Sequence, residues 1–235
     1  MIEALLPAAA TASESFGPDT SATLHPQEEA LIARSVPKRR EEFTTVRACA
    51  RRALAQLGLP PSPVLPGRRN APRWPDGVVG SMTHCDGYRA AVLARDTDLA
   101  MIGIDAEPDL PLPDGVLESI ALPGELAWVR AAGPGARVHR DRLLFSAKEA
   151  VYKTWFPLLG TELDFDEADI SFTDISSRDS GGAEGRPQGT FTARILRPER
   201  GPDGRPVNSF TGRWLSDRGI VVTAITLPSF RPVTP

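Results

Sequence analysis

The apolar positions along the chain change period several times, and those changes divide it into elements. Over 26–58 they recur at helical spacing. Pro26 stands at a first-turn position and is followed by Glu28 and Glu29, the charge a helix N-terminus favours. Pro37 splits the stretch in two, because an interior proline has no amide to donate and clashes with the preceding turn. In the second piece, about 38–57, the apolar positions are Phe43, Val46, Ala50, Ala53, Leu54 and Leu57. Gly58 and Pro60–Pro61 close it. Residues 60–77 are rich in Pro, Gly and Arg and read as a loop. The short apolar runs 78–82, 90–94 and 100–104, separated by turn-like residues at 85–87 and 96–98, predict strands. Residues 107–115 are a Pro/Asp-rich connector. Helices are predicted over 123–132 and about 139–156, the second with Leu143, Leu144, Ala147, Val151, Tyr152 and Trp155 on one face. Strands are predicted over 168–173, 190–197, 210–216 and 219–226, with mobile loop tips at 176–189 and 198–208. No element is predicted in the first 25 residues.

The order is helix then strands, followed by helices then strands. This predicts an α+β fold of two similar, pseudo-twofold halves, 1–108 and 109–235. Each is expected to be a mostly antiparallel sheet packed on a long helix, although no sequence repeat accompanies the pattern.

Composition narrows the function. The net charge of −3 does not suggest a nucleic-acid binder. No apolar run approaches the ~20 residues of a membrane span. The alanine-rich 4–12 segment has Glu3 where a signal peptide would be basic. The two cysteines, Cys49 and Cys85, are too few for a disulfide framework or a zinc site. A cytoplasmic monomer is expected. The charge is uneven, however: ten basic residues fall within 34–73, against only Glu41 and Glu42, and such a stretch can neutralise a polyanionic small molecule.

The candidate chemistry begins at Gly103-Ile104-Asp105-Ala106-Glu107, an apolar strand ending in two carboxylates two residues apart. Positions i and i+2 share one face of a strand, so both carboxylates point into one cleft. Like charges held together call for a cation, and carboxylate oxygens suit a hard divalent ion such as Mg²⁺. A solvated pair at a strand end is the bland alternative for these residues alone. A third carboxylate follows in Phe145-Ser146-Ala147-Lys148-Glu149-Ala150-Val151-Tyr152-Lys153. There Glu149 is flanked by two of the chain's three lysines, in a sequence that otherwise uses arginine. Its bland alternative is a surface i, i+4 ion pair. Gly80 to Cys85 ends a strand in Thr83 and His84. The chain has no Walker A loop, no GxGxxG sequence and no nucleophile elbow.

Taken together, Gly103–Glu107, Phe145–Lys153, Trp74-Pro75-Asp76-Gly77 and Gly80–Cys85 resemble the phosphopantetheinyl transferase superfamily, in its surfactin- and enterobactin-synthetase-activating form. The match runs in order over roughly residues 35–173. Phe145 stands where many relatives have Trp. The resemblance implies an active site in the cleft between the halves. It implies transfer of 4′-phosphopantetheine from coenzyme A to a serine of an apo acyl or peptidyl carrier protein. The implied metal ligands are Asp105, Glu107 and Glu149, holding Mg²⁺ or Mn²⁺. Glu149 and Lys153 would be catalytic, and Arg40, Arg47, Arg69, Thr83, His84 and Lys148 would contact coenzyme A. Residues 122–132, with Leu126 and Trp128, lie where relatives offer apolar contacts to the carrier; the alternative for Trp128 is simple core packing. Two rival readings use the same residues: a metal-dependent phosphohydrolase of nucleotide diphosphates, and a non-catalytic coenzyme A-binding protein.

Overall fold

The computed structural model describes residues 1–133, 135–173 and 185–230. Two helices of 20 residues organise it. Pro37 opens α2 (Pro37–Gln56), one short turn of chain after α1 (Pro26–Ile32). Its buried face of Phe43, Val46, Ala50, Ala53 and Leu54 lies on the sheet β1-β5-β4, formed by β1 (Ala10–Phe16), β4 (Val78–Cys85) and β5 (Tyr88–Arg95). Between α2 and β4 the chain makes only a two-residue ladder, β2 (Leu65–Pro66) with β3 (Pro72–Arg73). Asp86-Gly87 turns β4 into β5, with Gly87 at φ 79°, the left-handed geometry that tight hairpins require.

The second half carries α3 (Val116–Ile120), α4 (Pro123–Arg130) and α5 (Arg140–Leu159). Its sheet has the order β6-β10-β9-β8-β7, built from β6 (Leu99–Pro108), β7 (Ala168–Thr173), β8 (Gln188–Arg200), β9 (Pro206–Asp217) and β10 (Ile220–Pro228). Neighbouring strands in both sheets are antiparallel. Leu143, Leu144, Ala147, Val151 and Trp155 of α5 bury into a core with Phe191, Phe210 and Trp214. The α+β class and the two helix-on-sheet halves are as expected from the sequence.

Three expectations change. The first 25 residues are not featureless: a 3₁₀ turn over Ile2–Leu5 leads into β1, which pairs with β5 from Ala10↔Ala94 to Phe16↔Tyr88. Both of its faces are half-buried, and Thr11, Ser13, Glu14 and Ser15 make up most of it, so it carries no run of large apolar residues. The 198–208 loop shrinks to the tip of a long β8–β9 hairpin, while most of the 176–189 loop lies outside the described residues. Finally β6, last in order in the first half, is hydrogen-bonded into the second sheet through β10.

The two sheets meet where β4 runs beside β6 in the same direction. Side-chain hydroxyls replace the missing ladder there: Ile104 N donates to Ser81 Oγ (3.1 Å) and Ala106 N to Thr83 Oγ1 (3.0 Å). On its other face β6 receives α5 at unusually short range. A Cβ on Gly103 would stand 2.1 Å from Thr154 Oγ1 and 2.3 Å from Ala150 O. That approach sets how deeply the Ala150–Thr154 stretch of α5 sits over β6. Gly103→Ala is therefore expected to push α5 outward, lowering stability by about 1–3 kcal/mol, the usual range for overpacking. Denaturant unfolding checks this; an unchanged midpoint would disprove the close-approach account.

Candidate active site

A cavity of about 560 Å³ opens between the halves. Arg39, Phe43 and Arg47 of α2, Arg69 and His84 line one side, and Glu149, Tyr152, Lys153 and Phe156 of α5 the other. It is large enough for a cofactor-sized ligand, and its wall is predominantly cationic at one end.

Asp105 lies beneath it, 3% exposed. Its Oδ1 accepts from Lys153 Nζ (2.6 Å) and Thr83 Oγ1 (3.3 Å), while its Oδ2 is buried with no hydrogen-bond partner. Glu107, two residues on, accepts from Arg142 Nη1 (2.9 Å). Burial, and then the charge of Asp105, push the Glu107 carboxyl up to about 7, against the opposing pull of Arg142 and Lys153. Glu149 is likewise raised, first by burial, with Asp105 adding and Lys153 opposing. Burial alone would lower the Lys153 pKa, yet it is raised, because Asp105, Glu149 and Glu107 all act on it. Lys153 is thus the direct counter-ion of Asp105, with Glu149 and Glu107 adding to the field that keeps it charged.

Among the described residues, no three His, Cys, Asp or Glu side chains stand grouped as a metal site. Lys153 and Arg142 instead pair with the carboxylates. The donor set nevertheless suits a hard cation: every donor is a carboxylate oxygen, one is buried and unbonded, and two carboxyls are held above their ordinary range by burial.

The cationic end is built on α2. Arg39 Nη1 stands 2.6 Å from His84 Nε2. Burial, then Arg39, Lys153, Arg89 and Arg47, depress the His84 pKa to about 4, so the imidazole is neutral near pH 7 and accepts from Arg39. Arg47 lies over the Phe43 ring, 3.3 Å from its centroid, and its Nε is buried without a partner. Burial lowers its pKa to about 10, with Arg39 and Arg51 adding to the effect. Arg69, in the left-handed region at φ 51°, pairs with Glu162 across the cavity mouth.

Of the residues expected at the site, His84, Arg47, Arg69, Glu149 and Lys153 line the cavity, with Asp105 directly under Lys153. Four stand elsewhere. Glu107 lines no part of the cavity and is turned to Arg142 Nη1 (2.9 Å). Arg40 turns away, donating to Ile32 O (2.8 Å), and Arg39 takes the cavity position; neighbours on a helix differ in direction by about 100°. Thr83 is buried, its hydroxyl joining β4 to Asp105 and Ala106. Lys148 is 2% exposed and points about 140° round α5 from Lys153. Its Nζ is spent on Glu125 Oε2 (2.9 Å), Phe165 O (2.7 Å) and Ala168 O (2.8 Å). Trp128 is part-buried against the second core and stacks on Phe172 at 4.5 Å. The sequence reading missed Arg39, Tyr152 as a cavity residue, and Arg142. Arg142 stands seven residues before Glu149, and two helical turns on one face was the available signal.

Comparison with known proteins identifies the family. The family model described as the 4′-phosphopantetheinyl transferase N-terminal domain matches residues 27–94, and the one described as the 4′-phosphopantetheinyl transferase superfamily matches residues 101–195. The 4′-phosphopantetheinyl transferase Svp of Streptomyces mobaraensis is 55% identical over 97% of this chain and 89% of its own length. The transferase Npt of Nocardia iowensis is 49% identical over 96% of this chain and 99% of its own. The transferase PptT of Mycobacterium tuberculosis is 50% identical over 86% and 85%. Identity at that level over most of each chain, with family models matching residues 27–94 and 101–195, means that the chain belongs to the 4′-phosphopantetheinyl transferase superfamily and is an enzyme of the transferase class.

Proposed function

We propose that the enzyme moves 4′-phosphopantetheine from coenzyme A to a serine hydroxyl of an apo carrier protein and releases 3′,5′-ADP. The observation that carries this is Lys153, paired with Asp105 (2.6 Å), standing with Glu149 in the wall of a cation-rich cavity. A diphosphate with a second phosphate on its nucleotide needs both ends of such a cavity. Arg39, Arg47 and Arg69 supply the cations for the nucleotide end, with the His84 imidazole beside Arg39.

The serine oxygen forms a bond to the β-phosphorus as the bond to the departing 3′,5′-ADP oxygen breaks. Glu149 takes the serine proton; burial raises its proton affinity and makes it the better base. Lys153 stabilises or protonates the leaving phosphate. Asp105, Glu107 and Glu149 would hold a divalent ion, Mg²⁺ or Mn²⁺, and when bound it supplies charge neutralisation at the diphosphate. The carrier, acidic and helical, would meet the α4 face that includes Leu126 and Trp128. Free Cys49 and Cys85 and the single-chain cavity suit a cytoplasmic monomer. Among the described residues no helix is long and apolar enough to cross a membrane.

Intact mass of apo peptidyl, acyl and aryl carriers after incubation with coenzyme A, Mg²⁺ and the enzyme tests the reading. A gain of one phosphopantetheine unit is expected. Free phosphopantetheine in solution would mark a hydrolase instead, and binding without turnover a coenzyme A-binding protein.

Proton uptake provides a second check. A phosphate beside His84 favours the imidazolium and raises its pKa from about 4. Binding of coenzyme A should then take up protons, and its affinity should weaken as pH rises through the bound-state value. Calorimetry in buffers of different ionisation enthalpy measures the uptake. Dephospho-coenzyme A, which lacks the 3′-phosphate, should show little; equal uptake by both would remove His84 from the nucleotide anchor.

A further inference from the structure

Arg142 is outside the family-like motif and lines no part of the cavity, yet it is among the most fully engaged side chains near the carboxylates. Its three guanidinium nitrogens serve three separate acceptors. Nη1 donates to Glu107 Oε2 (2.9 Å), Nε to Leu110 O (2.9 Å) and Nη2 to Pro111 O (2.8 Å). The side chain is 15% exposed and Glu107 21%, so the pair is largely sheltered from water.

The acceptors belong to the segment that the sequence reads as a loose connector. It is not loose. Asp109 accepts from His139 N (2.8 Å) and Ser216 Oγ (2.7 Å), and Asp141 Oδ2 accepts from Leu112 N (2.8 Å). The connector is thereby fastened to the first turn of α5. Arg142 is the one member of this group that also holds a carboxylate of the transfer site. Glu107 needs such a hold. It is the second-last residue of β6 and sits half-buried beside the like charge of Asp105, which disfavours its charge there without a counter-ion.

We infer that Arg142 is a positioning residue for transfer: it fixes one carboxylate oxygen of Glu107 and locks the connector to α5, so that Glu107 and Glu149 keep a constant separation. This rests on Asp105, Glu107 and Glu149 being the carboxylates of the phosphate site. A planar three-way fork is something arginine provides and lysine does not.

Arg142→Lys is the informative variant, because it keeps the charge and removes the fork. We expect kcat to fall and the divalent-ion concentration for half-maximal rate to rise, together by about 10–100-fold, as for other residues that orient a metal ligand. KM for coenzyme A should stay within about twofold, since the cations of the nucleotide end are untouched. In the ligand-free protein the Leu112 amide should exchange its hydrogen faster than in the parent. Asp105→Asn is measured in parallel. If Asp105→Asn is inactive while Arg142→Lys keeps the parent's kcat and metal dependence, the assignment of Arg142 is wrong and the site reading stands. If Asp105→Asn keeps full activity, the site reading itself fails and Arg142 falls with it. A raised KM for coenzyme A with unchanged kcat, or failure of Arg142→Lys to fold, would equally overturn a positioning role.

Discussion

Asp105→Asn and Glu149→Gln are each expected to lower the rate of carrier modification by at least about 10²–10³-fold, the usual cost of removing one preorganised electrostatic group from a transfer site. The shapes are conserved, so the loss is one of charge. Asp105 is the main partner of Lys153, and its second oxygen is buried and unbonded, a position with capacity to spare for a cation. Glu149 would lose its ability to accept the serine proton. Asp105 is buried and paired with Lys153, so Asp105→Asn should also lower the thermal midpoint, whereas Glu149→Gln should move it little; both rates are therefore read on folded protein. The measurement is the initial rate of mass gain on a carrier protein with saturating coenzyme A and excess Mg²⁺, beside a melting curve. A parent-like rate in either variant would remove the centre of the proposed function.

Lys148→Met is expected to act in the opposite way, on stability and not on ligand binding. Lys148 and Glu125 are each 1% exposed at the side chain and 2.9 Å apart. Burial lowers the Lys148 pKa while Glu125 opposes the shift, the signature of a charge kept because its partner is present. Glu125 also accepts from Leu122 N (2.7 Å) and Ile170 N (2.7 Å), so the pair ties α4, α5 and β7 together. Removing the ammonium strands a buried carboxylate, a change that costs about 3–5 kcal/mol. The double variant Lys148→Met, Glu125→Gln should regain much of that, because neither charge then remains to be buried alone. Denaturant midpoints of the two proteins and of the parent test this. A stable Lys148→Met protein with a much higher KM for coenzyme A would instead return Lys148 to the cavity.

Lys148 also illustrates where the sequence misled. Lys148 and Lys153 flank Glu149 and read as a matched pair of phosphate cations. The helix separates them by about 140°, and only the fold says which face looks into the cleft. Arg39 and Arg40 raise the same problem one residue apart: a cation-rich run fixes that some arginine reaches the ligand, not which. Thr83 was expected to touch a phosphate, but β4 and β6 share no backbone ladder, so its hydroxyl is used to join them. By contrast strand periodicity put Asp105 and Glu107 on one face, their role as candidates came from the resemblance, and Gly103 from their motif acquired its reason only when α5 was seen against it.

By itself the sequence determined the two long helices, through apolar periodicity and proline breaks, and most of the strands, and it singled out Asp105, Glu107, Glu149, Lys153 and His84 as candidates. These are local properties: a period, a turn residue, a motif that few unrelated chains share. The tertiary structure decided what depends on residues far apart. It made a strand of the N-terminal segment, because β5 offers it an edge. It converted a supposed linker into a clamp around Arg142, because α5 begins beside it. It sorted Lys148 into the interior and Lys153 into the site, because burial is a property of the packed surface and no spacing along the chain encodes it.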